Sequence, residues 1–123
     1  MDSGIRYIVD DCIKFCEREI RRGNKYDAII MDPPSYGRGP GGEMWKLESN
    51  IGDFISLCSR LLSDDPLFFL LNSYTTGLSA STMGYLLRLY LKGGRVECDE
   101  IGLPVTQTGG FLPCGAAARW FKE

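Results

Sequence analysis

No histidine occurs anywhere in the 123 residues, and no two cysteines stand in a CxxC pair. Both absences argue against a structural zinc site, which draws on closely spaced Cys and His ligands. The five cysteines, Cys12, Cys16, Cys58, Cys98 and Cys114, are an odd number, and four of them lie inside apolar segments. They read as buried, reduced thiols rather than a disulfide framework. No apolar run reaches the ~20 residues that span a bilayer. The opening MDSGIRYIVDD carries acids where a secretory signal needs basic residues. No membrane or metal partner is expected, and the expected location is the cytoplasm. Nor does either sign of charge dominate: 14 Lys and Arg against 16 Asp and Glu leave a net charge of −2, which speaks against a polybasic arm.

What is present is a core. Apolar residues make up 44% of the chain, and a chain of this length buries roughly two thirds of its unfolded surface, as one domain. IRYIV, Ile5 to Val9, is β-branched and aromatic and reads as a strand ended by Asp10 and Asp11. From Cys12 to Arg22, Ile13, Cys16 and Ile20 recur at helical spacing, with Gly23 as C-cap. DAIIM, Asp27 to Met31, reads as a strand covered on both faces. Ile51, Phe54, Ile55, Cys58, Leu61 and Leu62 predict a helix capped by Ser49 or Asn50 and stopped by SDDP. LFFLLN, Leu67 to Asn72, is the next strand. Ser79 caps a helix with Met83, Leu86, Leu87, Tyr90 and Leu91 on one face, stopped by Gly93 and Gly94. VECDEIGL and AAARWF predict a terminal antiparallel pair. The order β-α-β-α-β-α-β-β implies a three-layer α/β sheet, mostly parallel, whose ligands sit beyond the strands' carboxyl ends. Asp10, Asp11, Asp32 and Asn72 all fall at such ends.

Asp32-Pro33-Pro34-Ser35 opens the loop after the second strand. Proline fixes φ, has no N–H and holds the preceding residue extended, so the pair presents rigid carbonyl acceptors beside the Asp32 carboxylate. Such a cluster suits an amine or ring N–H, with Tyr36 available to stack on a planar ring. The plainer reading is that Pro-Pro ends a strand and Asp32 caps the turn. Gly37 to Gly42 reads as a lid, closing with Trp45, in preference to a phosphate cradle. No GK[ST] follows it, and no strand-GxGxxG-helix fingerprint occurs in the chain. Lys14, Arg18, Arg21, Arg22 and Lys25 form either an RNA-facing patch or a solvated helix face.

The series IRYIVDDCIKFCEREIRRGNKYDAIIMDPPSYGRGPGGEMWK resembles class I S-adenosylmethionine-dependent methyltransferases, in the branch related to bacterial 23S rRNA methyltransferases acting on cytosine C5 or guanine N7. The resemblance runs over essentially the whole chain and implies a Rossmann-like sheet with S-adenosyl-L-methionine as cofactor. It places Asp11 and the backbone of Cys12 at the adenine, with Asp32 also on the cofactor side. Asp32, Pro33, Pro34 and Tyr36 fall at the reacting methyl and target base, and Ser35, Asn72 and Ser73 at the target pocket.

Two departures shape the expectation. The family's first two strands, with the glycine turn and the acid that hold the rest of the cofactor, have no counterpart before Ile5. The chain therefore reads as a single incomplete catalytic domain, the C-terminal part of a longer enzyme. Loss of a ribose carboxylate's two charge-assisted bonds would cost roughly 3–6 kcal/mol, so weak or absent cofactor binding is expected of this chain alone. The first strand, lacking its neighbours, would pair with Asp27 to Met31 or with a second copy, giving a homodimer. A non-catalytic module that complements an N-terminal half is the alternative. The second departure is LLNSYTTG, where C5 methylation needs a cysteine. Ser73 cannot serve as a thiolate, which favours a nitrogen acceptor in rRNA.

Overall fold

The computed structural model describes residues 4–38, 44–74 and 78–123, with backbone alone at positions 36–38, 45 and 48. Helix α1, Cys12–Arg22, begins at Asp11, whose carboxylate accepts from the Lys14 amide at 3.1 Å. It ends at Gly23, whose φ of 76° closes the last turn in the left-handed region. Strand β1, Ala28–Met31, leads into a short ribbon of β2, Tyr36–Arg38, and β3, Met44–Lys46. Helix α2, Leu47–Ser59, buries Leu47, Ile51, Ile55 and Cys58 along one face. Strand β4, Phe68–Ser73, precedes helix α3, Ala80–Tyr90, which Ser79 caps by accepting from the Thr82 amide at 3.2 Å. The long hairpin of β5, Gly94–Pro104, and β6, Phe111–Lys122, completes the chain.

The main sheet runs β1-β4-β6-β5. The β1/β4 pair is parallel; β6 is antiparallel to both β4 and β5. One face carries Met31, Phe69, Leu71, Ala118 and Trp120, and against it pack Cys16 of α1, Ile51 and Ile55 of α2, and Met83 and Leu87 of α3. Gly84 of α3 lies close to β5: a Cβ there would lie 3.0 Å from the Cys98 sulfur, which would have to give way slightly. All three helices thus share one side of the sheet. The other side holds Phe68 and Leu70 half-buried, Ile30 at 64% exposure, and a polar ladder in which Arg119 meets Asp99 at 3.1 Å and Arg95 meets Glu97 at 3.2 Å.

The Rossmann-like α/β architecture is as expected, with two of its three layers present among the described residues. Five local expectations are corrected. Ile5 to Val9 is unpaired and exposed, with Tyr7 at 87%. Strand propensity reports fit to a pleated surface, and this segment meets none. It does not lie against β1, which is an edge strand with Ile30 open rather than a strand covered on both faces. The Gly/Pro loop contains the β2/β3 ribbon, which no alternating pattern announced. Helix α2 begins at Leu47, and Asn50 donates to the Lys46 carbonyl at 2.8 Å instead of capping. Finally, α3 ends at Leu91, and Gly93, with φ 76°, makes the turn into β5 two residues later.

Glu19 is the one buried acid among the described residues, 5% exposed. Its carboxylate accepts from the Tyr26 hydroxyl, from Asn24 at 3.0 Å and from Arg22 at 3.2 Å. The Tyr26 hydrogen bond first, then those of Asn24 and Arg22, hold its pKa below the usual carboxylate range despite burial. A depressed folded pKa contributes stability that is present above the unfolded value, near 4.5, and is lost as pH falls through the folded one. Urea unfolding between about pH 6 and about pH 3 should therefore show stability falling in acid, and Glu19→Gln should flatten that slope. An unchanged slope in the variant would assign the acid loss to other carboxylates.

Candidate functional site

The pocket lies at the carboxyl end of β1, between α1 and α2, and measures about 470 Å³, within the usual range for small-molecule sites. Phe15, Ile29, Met31 and Phe54 give it an apolar lining, and Asp11 and Cys12 from the start of α1 and Asp32, Pro33 and Pro34 from the end of β1 also line it. Cys16 and Cys58 are also among the lining residues. Each placement has a local cause. Asp11 sits there because it caps α1, and the amides of that first turn have no intrahelical acceptor. Asp32 sits there because β1 ends at Met31 and two prolines cannot continue the ladder.

Asp10 does not line the pocket. It accepts from the Asp11 amide at 2.8 Å and pairs with Arg18. The Arg18 bond, then that from the Asp11 amide, hold its carboxyl below the usual range. Of the five basic residues near α1, Arg18 is committed to Asp10, Arg22 to Glu19 at 3.2 Å, and Lys25 to the Arg60 carbonyl at 2.7 Å. The solvated-face reading accounts for these three.

The structure brings together Asp11, Cys12, Asp32, Pro33 and Pro34 of the expected site. Ser35 lies outside the pocket lining, and its carbonyl accepts from the Leu47 amide at 3.1 Å, tying the Pro-Pro loop to the start of α2. Asn72 and Ser73 also lie outside the lining. Met31 pairs with Leu71, so Asp32 and Asn72 follow at adjacent strand ends, whereas Ser73 is 1% exposed opposite Ala116. The Tyr36 and Trp45 side chains, and residues 39–43 of the expected lid, lie outside the described residues. The sequence reading missed Phe15 and Phe54 as pocket walls. Phe54 had been counted in a helix stripe, and a stripe that wide serves both core and pocket.

The cysteines are all free thiols: Cys16 and Cys58 buried, Cys98 and Cys114 half-buried, and Cys12 exposed, contrary to the expectation of uniform burial. Partial desolvation pushes the Cys12 thiol up. The hairpin carries Cys114 to within two residues of Ala116, the partner of Ser73, but its thiol bonds to the Ile101 carbonyl at 3.5 Å. Among the described residues no three His, Cys, Asp or Glu side chains gather as a metal site, and no helix is long and apolar enough to cross a membrane.

The architecture is shared with solved proteins. A SAM-dependent methyltransferase from Agrobacterium tumefaciens matches with a TM-score of 0.83 and 33% identity, over 92% of this chain and 38% of that one. A protein assigned as a methyltransferase and solved with SAH matches at TM-score 0.67 and 18% identity, over 91% of this chain and 30% of its own. A Streptococcus mutans protein assigned as a SAM-dependent methyltransferase gives TM-score 0.66 and 16% identity, over 92% and 30%. The last two, at such low identity, speak for the fold alone. This chain spans little more than a third of the Agrobacterium protein's length. No protein-family model and no curated protein matches it.

Proposed function

We propose that this chain, a class I S-adenosylmethionine-dependent methyltransferase by its fold, supplies the adenine wall and the acceptor side of a methyl-transfer site. The observation that carries the reading is the convergence of Asp11 and Cys12 with Asp32, Pro33 and Pro34 on one apolar-walled pocket. The donor set fits adenine. The Asp11 carboxylate can accept from the exocyclic amine, the Cys12 amide in the first turn of α1 can donate to a ring nitrogen, and Phe15, Ile29 and Phe54 cover the ring. When bound, S-adenosyl-L-methionine supplies an electrophilic methyl group. Asp32 and the Pro33 and Pro34 carbonyls then accept from an N–H of the acceptor, holding its nucleophilic atom at near-attack distance and stabilising the positive charge it gains.

The acceptor is a nucleobase nitrogen, with rRNA in the cytoplasm as the substrate implied by the DPP-centred motif series. A nitrogen needs no covalent thiolate adduct. Ser73 stands at the end of β4, the Cys58 thiol is pushed up by its bond with Cys16 and by burial, and Cys114 faces the hairpin. A second reading rests on β1's open edge and on Ile30, 64% exposed. In it, the chain is a non-catalytic module that dimerises or accepts an N-terminal half through that strand.

Titration of the chain with S-adenosylhomocysteine, followed by amide chemical shifts, separates the two. Shifts are expected around Asp11 to Cys16 and Ile29 to Asp32, with a Kd weaker than about 100 μM because the resemblance assigns the ribose and methionine contacts to other strands than these. Absence of any shift there at millimolar ligand would sink the methyl-transfer reading and leave the module.

A further inference from the structure

We infer that Cys16 and Cys58 form an oxidisable dithiol, which a peroxide entering the pocket converts into a disulfide joining α1 to α2. The sulfur atoms are 4.0 Å apart and share a thiol–thiol hydrogen bond across a sequence separation of 42. Both line the pocket, while Cys16 is 8% and Cys58 4% exposed. A small oxidant thus reaches them through the pocket, and larger thiol reagents meet buried atoms. Disulfide bonding needs the sulfurs to close by roughly 2 Å, a distance that side-chain rotation and a slight shift of one helix on the other supply. The pair sits where α1 packs on α2, within the core cluster that also contains Met31 and Ile55, and its oxidation would pin the two helices together at the pocket.

The two thiols are not equivalent. The bond from Cys58 lowers the pKa of Cys16, and the same bond with burial raises that of Cys58. Cys16, at 8% the more exposed of the two against 4% for Cys58, is the thiol a peroxide meets first and is taken as the nucleophile, with Cys58 as the resolving thiol. In the first step the Cys16 sulfur attacks a peroxide oxygen: an S–O bond forms, the O–O bond breaks, and water leaves with the thiol proton. In the second, the Cys58 sulfur attacks the sulfenic sulfur. An S–S bond forms and the hydroxyl departs as a second water. The two thiols lose two electrons and two protons, and the peroxide is reduced to two waters. Cys12, the exposed neighbour, has a thiol pushed up by desolvation and is the weaker nucleophile.

This inference does not depend on methyl transfer. The reduced full chain is incubated with hydrogen peroxide, its remaining thiols are titrated, and its peptides are mapped by mass spectrometry. Two of the five thiols should disappear together, a Cys16–Cys58 linked peptide should appear, and dithiothreitol should restore both. Cys12→Ala should leave the yield of that peptide unchanged. A linked peptide containing Cys12, Cys98 or Cys114 in its place would overturn the inference. So would Cys16 carried on to sulfinic acid while Cys58 remains open to alkylation.

Discussion

Asp32→Ala is expected to lower methyl transfer about 10³-fold in a polypeptide that contains this chain and binds S-adenosylmethionine, with kcat taking nearly all of the loss. Asp32 is exposed at the end of β1 and lines the pocket beside Pro33 and Pro34. Removing its carboxylate takes away an acceptor for the substrate N–H, and no wall of the adenine region changes. S-adenosylhomocysteine affinity should stay within about threefold, since each tenfold requires 1.4 kcal/mol and the proposed adenine contacts are Asp11 and Cys12. The exposed position predicts little change in thermal stability. Turnover equal to the parent's would return Asp32 to the role of a turn cap. A parallel loss of ligand affinity would move it to the cofactor side of the pocket.

The largest stability effect is expected at Phe69. Its side chain is fully buried near the start of β4, where Ile29 of β1 and Trp120 of β6 are its register partners. Phe69→Ala should cost about 3–5 kcal/mol, transfer and cavity terms together, a large share of a typical domain's 5–15 kcal/mol. The melting temperature should fall by roughly 15 °C. Its sequence neighbour Phe68 faces the opposite side of the sheet and is half-buried, so Phe68→Ala should cost only about 1–2 kcal/mol. Urea unfolding of the two variants measures the difference between the faces. Equal costs would mean that the open face is covered in solution.

Much of the candidate site was legible because it rests on residues that act alone. Two adjacent prolines end a strand wherever they occur, and an acid before a helix caps it, so Asp32 and Asp11 could be placed at strand and helix ends without knowing the sheet. Helix α1 was likewise readable from end to end: Cys16 and Ile20 repeat at helical spacing, and Gly23 takes the left-handed C-cap. Ile5 to Val9 was not, because a strand is completed by a neighbour that a linear pattern does not contain. The β2/β3 ribbon escaped for the same reason: its pairing of Tyr36 with Lys46 is a register, not a composition. Asn50 looked like a cap and is not one, since the Ser35 carbonyl, arriving from the Pro-Pro loop, organises the start of α2 three residues earlier.

By itself, then, the sequence determined the elements whose causes are local: the caps at Asp11, Gly23 and Ser79, the break at Pro33, the apolar runs of β1 and β4, and the C-terminal hairpin. Only the tertiary structure decided which elements meet. It put all three helices on one face of the sheet, set Cys16 against Cys58, brought Phe15 and Phe54 into the pocket lining, and tied the Ser35 carbonyl to the start of α2. The physical reason is range. Dihedral preference and capping act within a few residues, whereas burial and register join residues far apart in the chain, and a pocket exists only once they have done so.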